Sequence, residues 1–133
     1  MGFFCELYPI ISPPTKLVPG PSASSTGHGR MPTSAQAAVY SAVRHYLRAI
    51  EAAGTDEAKA VMAKMREIPV NDFYTRGGKL REDGRLLHDM YFVQVKTPAE
   101  SSGPWDYYKI IATIRGERAF RPAGEDGCPL IKR

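Results

Sequence analysis

Apolar side chains recur at spacings of three and four after Pro32: Val39, Val43, Tyr46, Leu47 and Ile50 line one side of a helical projection, thickened by Ala35, Ala38, Ala42 and Ala49. Arg44, Arg48 and Glu51 fall elsewhere, so the pattern predicts an amphipathic helix with one face built for burial. Thr33 or Ser34 is the N-cap candidate, and Gly54 supplies the C-cap. A second helix is predicted from Thr55, its cap, with Asp56 and Glu57 in the dipole-favoured first turn and Val61, Met62, Met65 and Ile68 on its apolar side. Pro69 ends it, because proline lacks the amide donor and biases Ile68 away from helical dihedrals. The pair forms a helical hairpin.

From Val70 the period becomes extended. Gly77 and Gly78 mark one turn, and Glu82, Asp83 and Gly84 a second between Leu80 and Leu86, which predicts a short β-hairpin. Residues 87–96 alternate Met90, Phe92 and Gln94 against Tyr91, Val93 and Val95, a strand whose largely apolar faces call for cover on both sides. Residues 98–104 form a loop, residues 105–114 a second extended run rich in aromatic and β-branched side chains, and the remainder an irregular tail. The fold class is therefore α/β. Residues 1–32 hold Pro13, Pro14, Pro19, Pro21 and a small-polar run from residue 22 to 26, which predicts a disordered tail ahead of a single folded unit, residues 33–133.

Composition changes this picture little. The chain has 133 residues, 43% of them apolar and 24% charged, with a net charge of +4, which suits one ordinary domain. Lys79, Arg81 and Arg85 alternate with Glu82 and Asp83, a solvated face rather than a nucleic-acid patch, so no nucleic-acid partner is expected. Apolar runs fall short of the roughly 20 residues that cross a bilayer. Cys5 and Cys128 lie at opposite ends without further Cys or His at metal-ligand spacing, so neither metal nor cofactor is implied, and a disulfide between them is open.

Candidate catalytic groups lack company. His28 lies in the tail, His45 on the first helix as a partly exposed residue, and His88 beside Asp89 and a strand, where a structural hydrogen bond or an exposed pair outweighs a catalytic dyad. Ser101, Ser102 and Gly103 run into Pro104, without the strand, turn and helix of a nucleophile elbow. Neither Gly77-Gly78 nor Gly27-His28-Gly29 has the spacing of a phosphate-cradling loop. Trp105, Asp106, Tyr107 and Tyr108 could form an aromatic platform or pack against a neighbour.

Several strings, in order, have a familiar set: Ala38-Val39-Tyr40-Ser41-Ala42-Val43, Ala49-Ile50-Glu51-Ala52-Ala53-Gly54-Thr55, Val61-Met62-Ala63-Lys64-Met65-Arg66 and Gly78-Lys79-Leu80-Arg81-Glu82-Asp83-Gly84-Arg85. Tyr91-Phe92-Val93-Gln94-Val95-Lys96, Trp105-Asp106-Tyr107-Tyr108-Lys109-Ile110 and Gly127-Cys128-Pro129-Leu130 follow. Together they resemble the carboxy-terminal part of ABC-importer substrate-binding proteins of the branched-chain amino acid (leucine, isoleucine, valine) receptor type. The resemblance covers residues 32–133, and residues 1–31 fall outside it.

That resemblance implies a partial type I periplasmic-binding-protein fold, in which a helical hairpin, a short β-hairpin and hinge-type strands come from a larger two-lobed protein. The whole protein would close on an amino acid, amide or related small solute and present it to an ABC permease. This chain would not be an enzyme and, by itself, would bind little, since one wall does not enclose a ligand. Of the ligand-contacting positions only the entry to the first helix remains, where Ser34, Gln36 or helix-terminal amides could meet a ligand carboxylate; a plain N-cap role for Ser34 is the alternative.

Two rival readings stand beside it: a self-associating or partner-binding module that covers the leftover apolar surfaces, and a small enzyme using His88, Asp89 and Cys128. The resemblance implies a periplasmic location. The amino terminus has no Lys or Arg before its apolar residues, and Glu6 and Pro9 interrupt them, so no export signal is predicted and a chain made as written would stay in the cytoplasm.

Overall fold

A computed structural model describes residues 2–5 as backbone and residues 32–103, 106–125 and 127 in full. Among the described residues eight elements follow: β1 (Gly2–Cys5), α1 (Ser34–Ala53), α2 (Ala58–Glu67), β2 (Lys79–Leu80), β3 (Leu86–Leu87), β4 (Met90–Val95), β5 (Tyr108–Ile114) and α3 (Gly116–Ala119).

The helix signals acted much as written. Thr33 caps α1 through a reciprocal box: its hydroxyl accepts from the Gln36 amide at 3.3 Å while the Gln36 side chain accepts from the Thr33 amide at 2.8 Å. The cap is Thr33 rather than Ser34, which becomes the first helical residue. At the other end Gly54 takes a left-handed φ of 65°, which glycine adopts without a Cβ clash, and its N–H reaches Ile50 O. For α2 the expectation fails in detail. Glu57, not Thr55, is the cap, because its longer side chain reaches both the Lys59 and Ala60 amides, at 3.0 and 2.8 Å; Thr55 Oγ1 supports it by accepting from the Glu57 amide.

The two helices pack as a hairpin, and the face they use differs from the one the pattern predicts. The buried line on α1 is Ala37, Ser41, His45 and Ala49, one residue per turn, where small side chains let α2 approach. His45, expected to be partly exposed, is 6% exposed, and its Nε2–H donates to Met65 O on α2 at 2.9 Å. The large apolar stripe faces outward instead: Val39, Val43, Tyr46 and Leu47 keep 44–63% of their surface.

After Pro69, Val70 and Gly78 exchange backbone hydrogen bonds in both directions, pinching off a loop between them. The predicted hairpin follows, with Lys79 opposite Leu87 and Leu80 opposite Leu86. The main sheet has the order β1-β4-β5, antiparallel throughout, and its register slips between Phe92 and Val93. Within residues 1–32, Gly2–Cys5 departs from the expected tail, because its backbone pairs with β4 from Gly2 opposite Gln94 to Cys5 opposite Tyr91. β4 is not covered on both sides along its whole length: Val93 is fully buried, but Val95 on the same face and Gln94 on the other are exposed, and on β5 Ile110 and Ile111 are open.

The supposed irregular tail contains α3. It forms where Gly116 tucks against His88: a Cβ there would stand 2.8 Å from His88 O, so only glycine fits without displacing backbone, and its N–H donates to Asp89 Oδ1 at 3.0 Å. The buried apolar core of the described residues is small: Ala37, Ala49, Val61, Val70, Tyr74 and Val93. Among them no helix is long and apolar enough to cross a membrane.

Candidate functional site

The α1 entrance is the site that the sequence proposed. Four amides open any helix without intrahelical acceptors. Here the capping box takes Gln36 N, and the Ala37 amide reaches Thr33 O at 3.0 Å. The amides of Ser34 and Ala35 are the first-turn donors that the box leaves uncommitted, with the positive end of a 20-residue helix behind them. Ser34 is half-buried and has no side-chain hydrogen bond among the described residues; Gln36 is exposed, and its carbonyl oxygen is already engaged in the box. Of the two candidates, then, Ser34 has a hydroxyl that the described residues leave without a hydrogen bond, and Gln36 closes the cap.

A second polar cluster lies further along the same helix, and sequence reasoning missed it. Ser41 Oγ donates to Asp72 Oδ2 at 2.6 Å, while Asp72 Oδ1 accepts from the Tyr74 and Thr75 amides at 2.8 and 3.1 Å. Asn71 Oδ1 accepts from Gly77 N at 2.7 Å, and Arg48 donates to Asn71 O. The signal was present, since Asn and Asp after a proline and before an aromatic pair favour turns closed by their own side chains. Its result is a loop from 71 to 77 tied to α1 at Ser41, with every polar atom of the Asp72 carboxylate occupied.

His88 and Asp89 are neighbours but not a dyad. His88 Nδ1–H points to the Asp89 backbone carbonyl at 3.0 Å, and the Asp89 carboxylate is spent on Gly116 N. The imidazole sits between Tyr74 and Phe120, with ring centroids 5.6 and 5.4 Å away, and the Arg85 guanidinium lies over the Phe120 ring, 5.8 Å from its centroid. Cys5 and Cys128 take no part in this description: Cys128 lies outside the described residues and Cys5 is described as backbone alone. His28 and Trp105 also lie outside them.

Beyond β4, Lys96 Nζ donates to Asp106 Oδ1 at 2.6 Å, and Asp106 Oδ2 accepts from the Ser102 amide and hydroxyl at 2.9 and 2.8 Å. The Lys96 ammonium foremost, with the two Ser102 donors, holds the Asp106 carboxyl down to about 2. Ser102 is thereby a loop fastener rather than a nucleophile. Tyr107 and Tyr108 meet edge to face with centroids 6.4 Å apart.

With this geometry in place, comparison with known proteins is specific. The periplasmic binding protein family matches residues 22–103. A periplasmic binding protein from Burkholderia mallei is 46% identical over 84% of this chain and 30% of its own, with a TM-score of 0.78. A branched-chain amino acid ABC transporter periplasmic ligand-binding protein from Burkholderia xenovorans is 37% identical over 97% of this chain and 34% of its own, with a TM-score of 0.84. None of the curated proteins matches the chain. The likeness reaches further than residues 32–133: the family match starts at residue 22, and the second structural match takes in nearly all of the first 31 residues. The chain spans about a third of the length of these solved proteins.

Proposed function

The chain belongs to the periplasmic binding protein family, and from that premise we propose that it is part of the solute receptor of an ABC importer, carrying a branched-chain amino acid, an amide or a related small solute to a membrane permease. The observation that carries this reading is the match to the Burkholderia xenovorans ligand-binding protein, which takes in 97% of this chain. In this reading the chain binds solute, and the Asp89 carboxylate, the Asp72 carboxylate and the Ser102 hydroxyl are each committed to backbone or side-chain contacts. The family's working place is the periplasm.

In this reading the α1 entrance is where a ligand carboxylate sits, on the Ser34 hydroxyl and the Ser34 and Ala35 amides, as helix N-termini favour anions. By itself the chain holds solute weakly, because a small-molecule pocket buries most of its ligand between converging walls and α1 supplies one. Titration calorimetry of the purified chain with leucine, isoleucine, valine and small amides tests both statements. Little or no heat from a folded sample is expected; micromolar binding would show that this piece closes a pocket unaided. In a protein that does bind, Ser34→Ala weakens affinity without changing helix stability, whereas Gln36→Ala loosens the α1 cap. Equal binding by Ser34→Ala and wild type would remove Ser34 from the site.

A further inference from the structure

The buried side of α1 is the line of Ala37, Ser41, His45 and Ala49. Nearly opposite stand Val39, Val43, Tyr46 and Leu47, at 63, 52, 44 and 58% exposure, with Ile50 half-buried beside them. At about 100° per residue the four exposed side chains fall within an arc of about 100°. A contiguous run of exposed aliphatic and aromatic side chains marks an interaction surface. Its two borders differ. One is alanine, at Ala38, Ala42 and Ala53; the other carries Arg44 and Glu51, two turns apart on the same flank and both exposed. Neither is in an ion pair among the described residues.

We infer that this face is the contact between two copies of the chain, their α1 helices antiparallel across a two-fold axis that passes between Tyr46 and Leu47. The inference does not draw on the solute reading above; it follows from the pattern of the stripe and its borders. About that axis Val43 meets the partner's Ile50, Tyr46 meets the partner's Leu47, and Val39 reaches the level of the partner's Gly54, where the helix ends. Large apolar side chains therefore face one another along the stripe, as a self-complementary contact requires. In an antiparallel pair of this symmetry each flank lies beside the same flank of the partner. Arg44 then stands within two residues, about 3 Å along the axis, of the level of the partner's Glu51. Symmetry repeats the pair, so two cross-chain ion pairs border the apolar seam, the arrangement by which flanking charges set helix orientation. A parallel pair would set the charged flank against the alanine flank and lose both. An anionic membrane surface fits less well, because Glu51 shares the flank with Arg44.

The test is the molar mass of the purified full chain, measured by sedimentation equilibrium over a dilution series. The expected result is one chain at the dilute end and two at the concentrated end, without growth past two, because a two-fold contact closes on itself. Fluorescence of an apolar dye, per chain, should fall over the same range as the face is covered. Val43→Glu and Leu47→Glu should each raise the dissociation constant at least about tenfold and leave the helical circular dichroism unchanged, since both side chains lie outside the chain's own core. Arg44→Glu and Glu51→Arg should each weaken association, and the two together should restore it, which a merely sticky surface would not do. A single chain at every concentration, growth beyond two chains, or a dimer that Val43→Glu and Leu47→Glu leave intact would overturn the proposal. So would a charge swap without rescue. A chain that stays single and sediments with phosphatidylglycerol vesicles would overturn it too, by making a membrane the occupant.

Discussion

Single side chains do much of the joining between elements, and His45 is the clearest case. A buried imidazole that donates to the Met65 carbonyl ties α1 to α2, between Ser41 and Ala49 on the buried line of α1. His45→Ala leaves that carbonyl short of a donor and opens space, so the helical hairpin should lose about 1–3 kcal/mol, measured by urea unfolding followed at 222 nm. Gly116 works by absence of a side chain. Gly116→Ala drives a methyl into the His88 backbone, and about 1–3 kcal/mol of destabilisation is expected in the same assay; the residue 116 amide resonance should also shift as its bond to Asp89 lengthens. Ring packing of His88 against Tyr74 and Phe120 makes the result a strain on the whole corner, not on one turn.

Elements, by contrast, stand or fall by their ends. Thr33→Ala removes one half of the α1 capping box, which costs about 1 kcal/mol and should show as faster amide exchange at Gln36. The link between β4 and β5 responds to acid. The Asp106 carboxyl lies below its ordinary 3.8, at about 2, through Lys96 first and Ser102 second. A carboxyl depressed in the folded state contributes stability that is complete above its unfolded value and is lost as pH falls through its folded value. The loop should therefore hold above pH 4 and loosen between 3.8 and about 2, followed by the Asp106 carboxyl carbon shift; Asp106→Asn should abolish that acid transition. Both helices, the hairpin at Leu80 and Leu86, and two later strands were legible because capping residues, Gly turns and alternation act locally. What escaped was set at a distance. The apolar period of α1 marked Val39, Val43, Tyr46 and Leu47 for burial, yet within this chain the packing side is chosen by small residues that admit α2. The Glu57 cap depended on reach rather than on residue type at one position, and the Asp72 loop on a hydroxyl 31 residues upstream. At the α1 entrance the residue types marked the helix start, but that Thr33 and not Ser34 is the cap, with Gln36 closing the box, needed the geometry.

At the scale of the molecule, the balance between a small core and wide uncovered apolar surface sets behaviour in solution. Among the described residues the largest fully buried side chains are Val61 and Val93, while Val39, Leu47, Val95 and Ile111 remain at 50% exposure or more. The isolated chain should bind an apolar dye such as anilinonaphthalene sulfonate at neutral pH, and Leu47→Glu should reduce that fluorescence; a dark wild-type sample would mean that the surface is covered. The pairing of β1 with β4 has a consequence of another kind. Gly2 lies opposite Gln94 and Cys5 opposite Tyr91, so the backbone of β1 leaves the ribosome long before the strand that supplies its partners. Closing so long a loop is entropically slow, and rates fall as contacting residues grow distant in sequence. During synthesis the helical hairpin, whose contacts are local, can form first, and the central sheet is completed only once β4 and β5 have emerged.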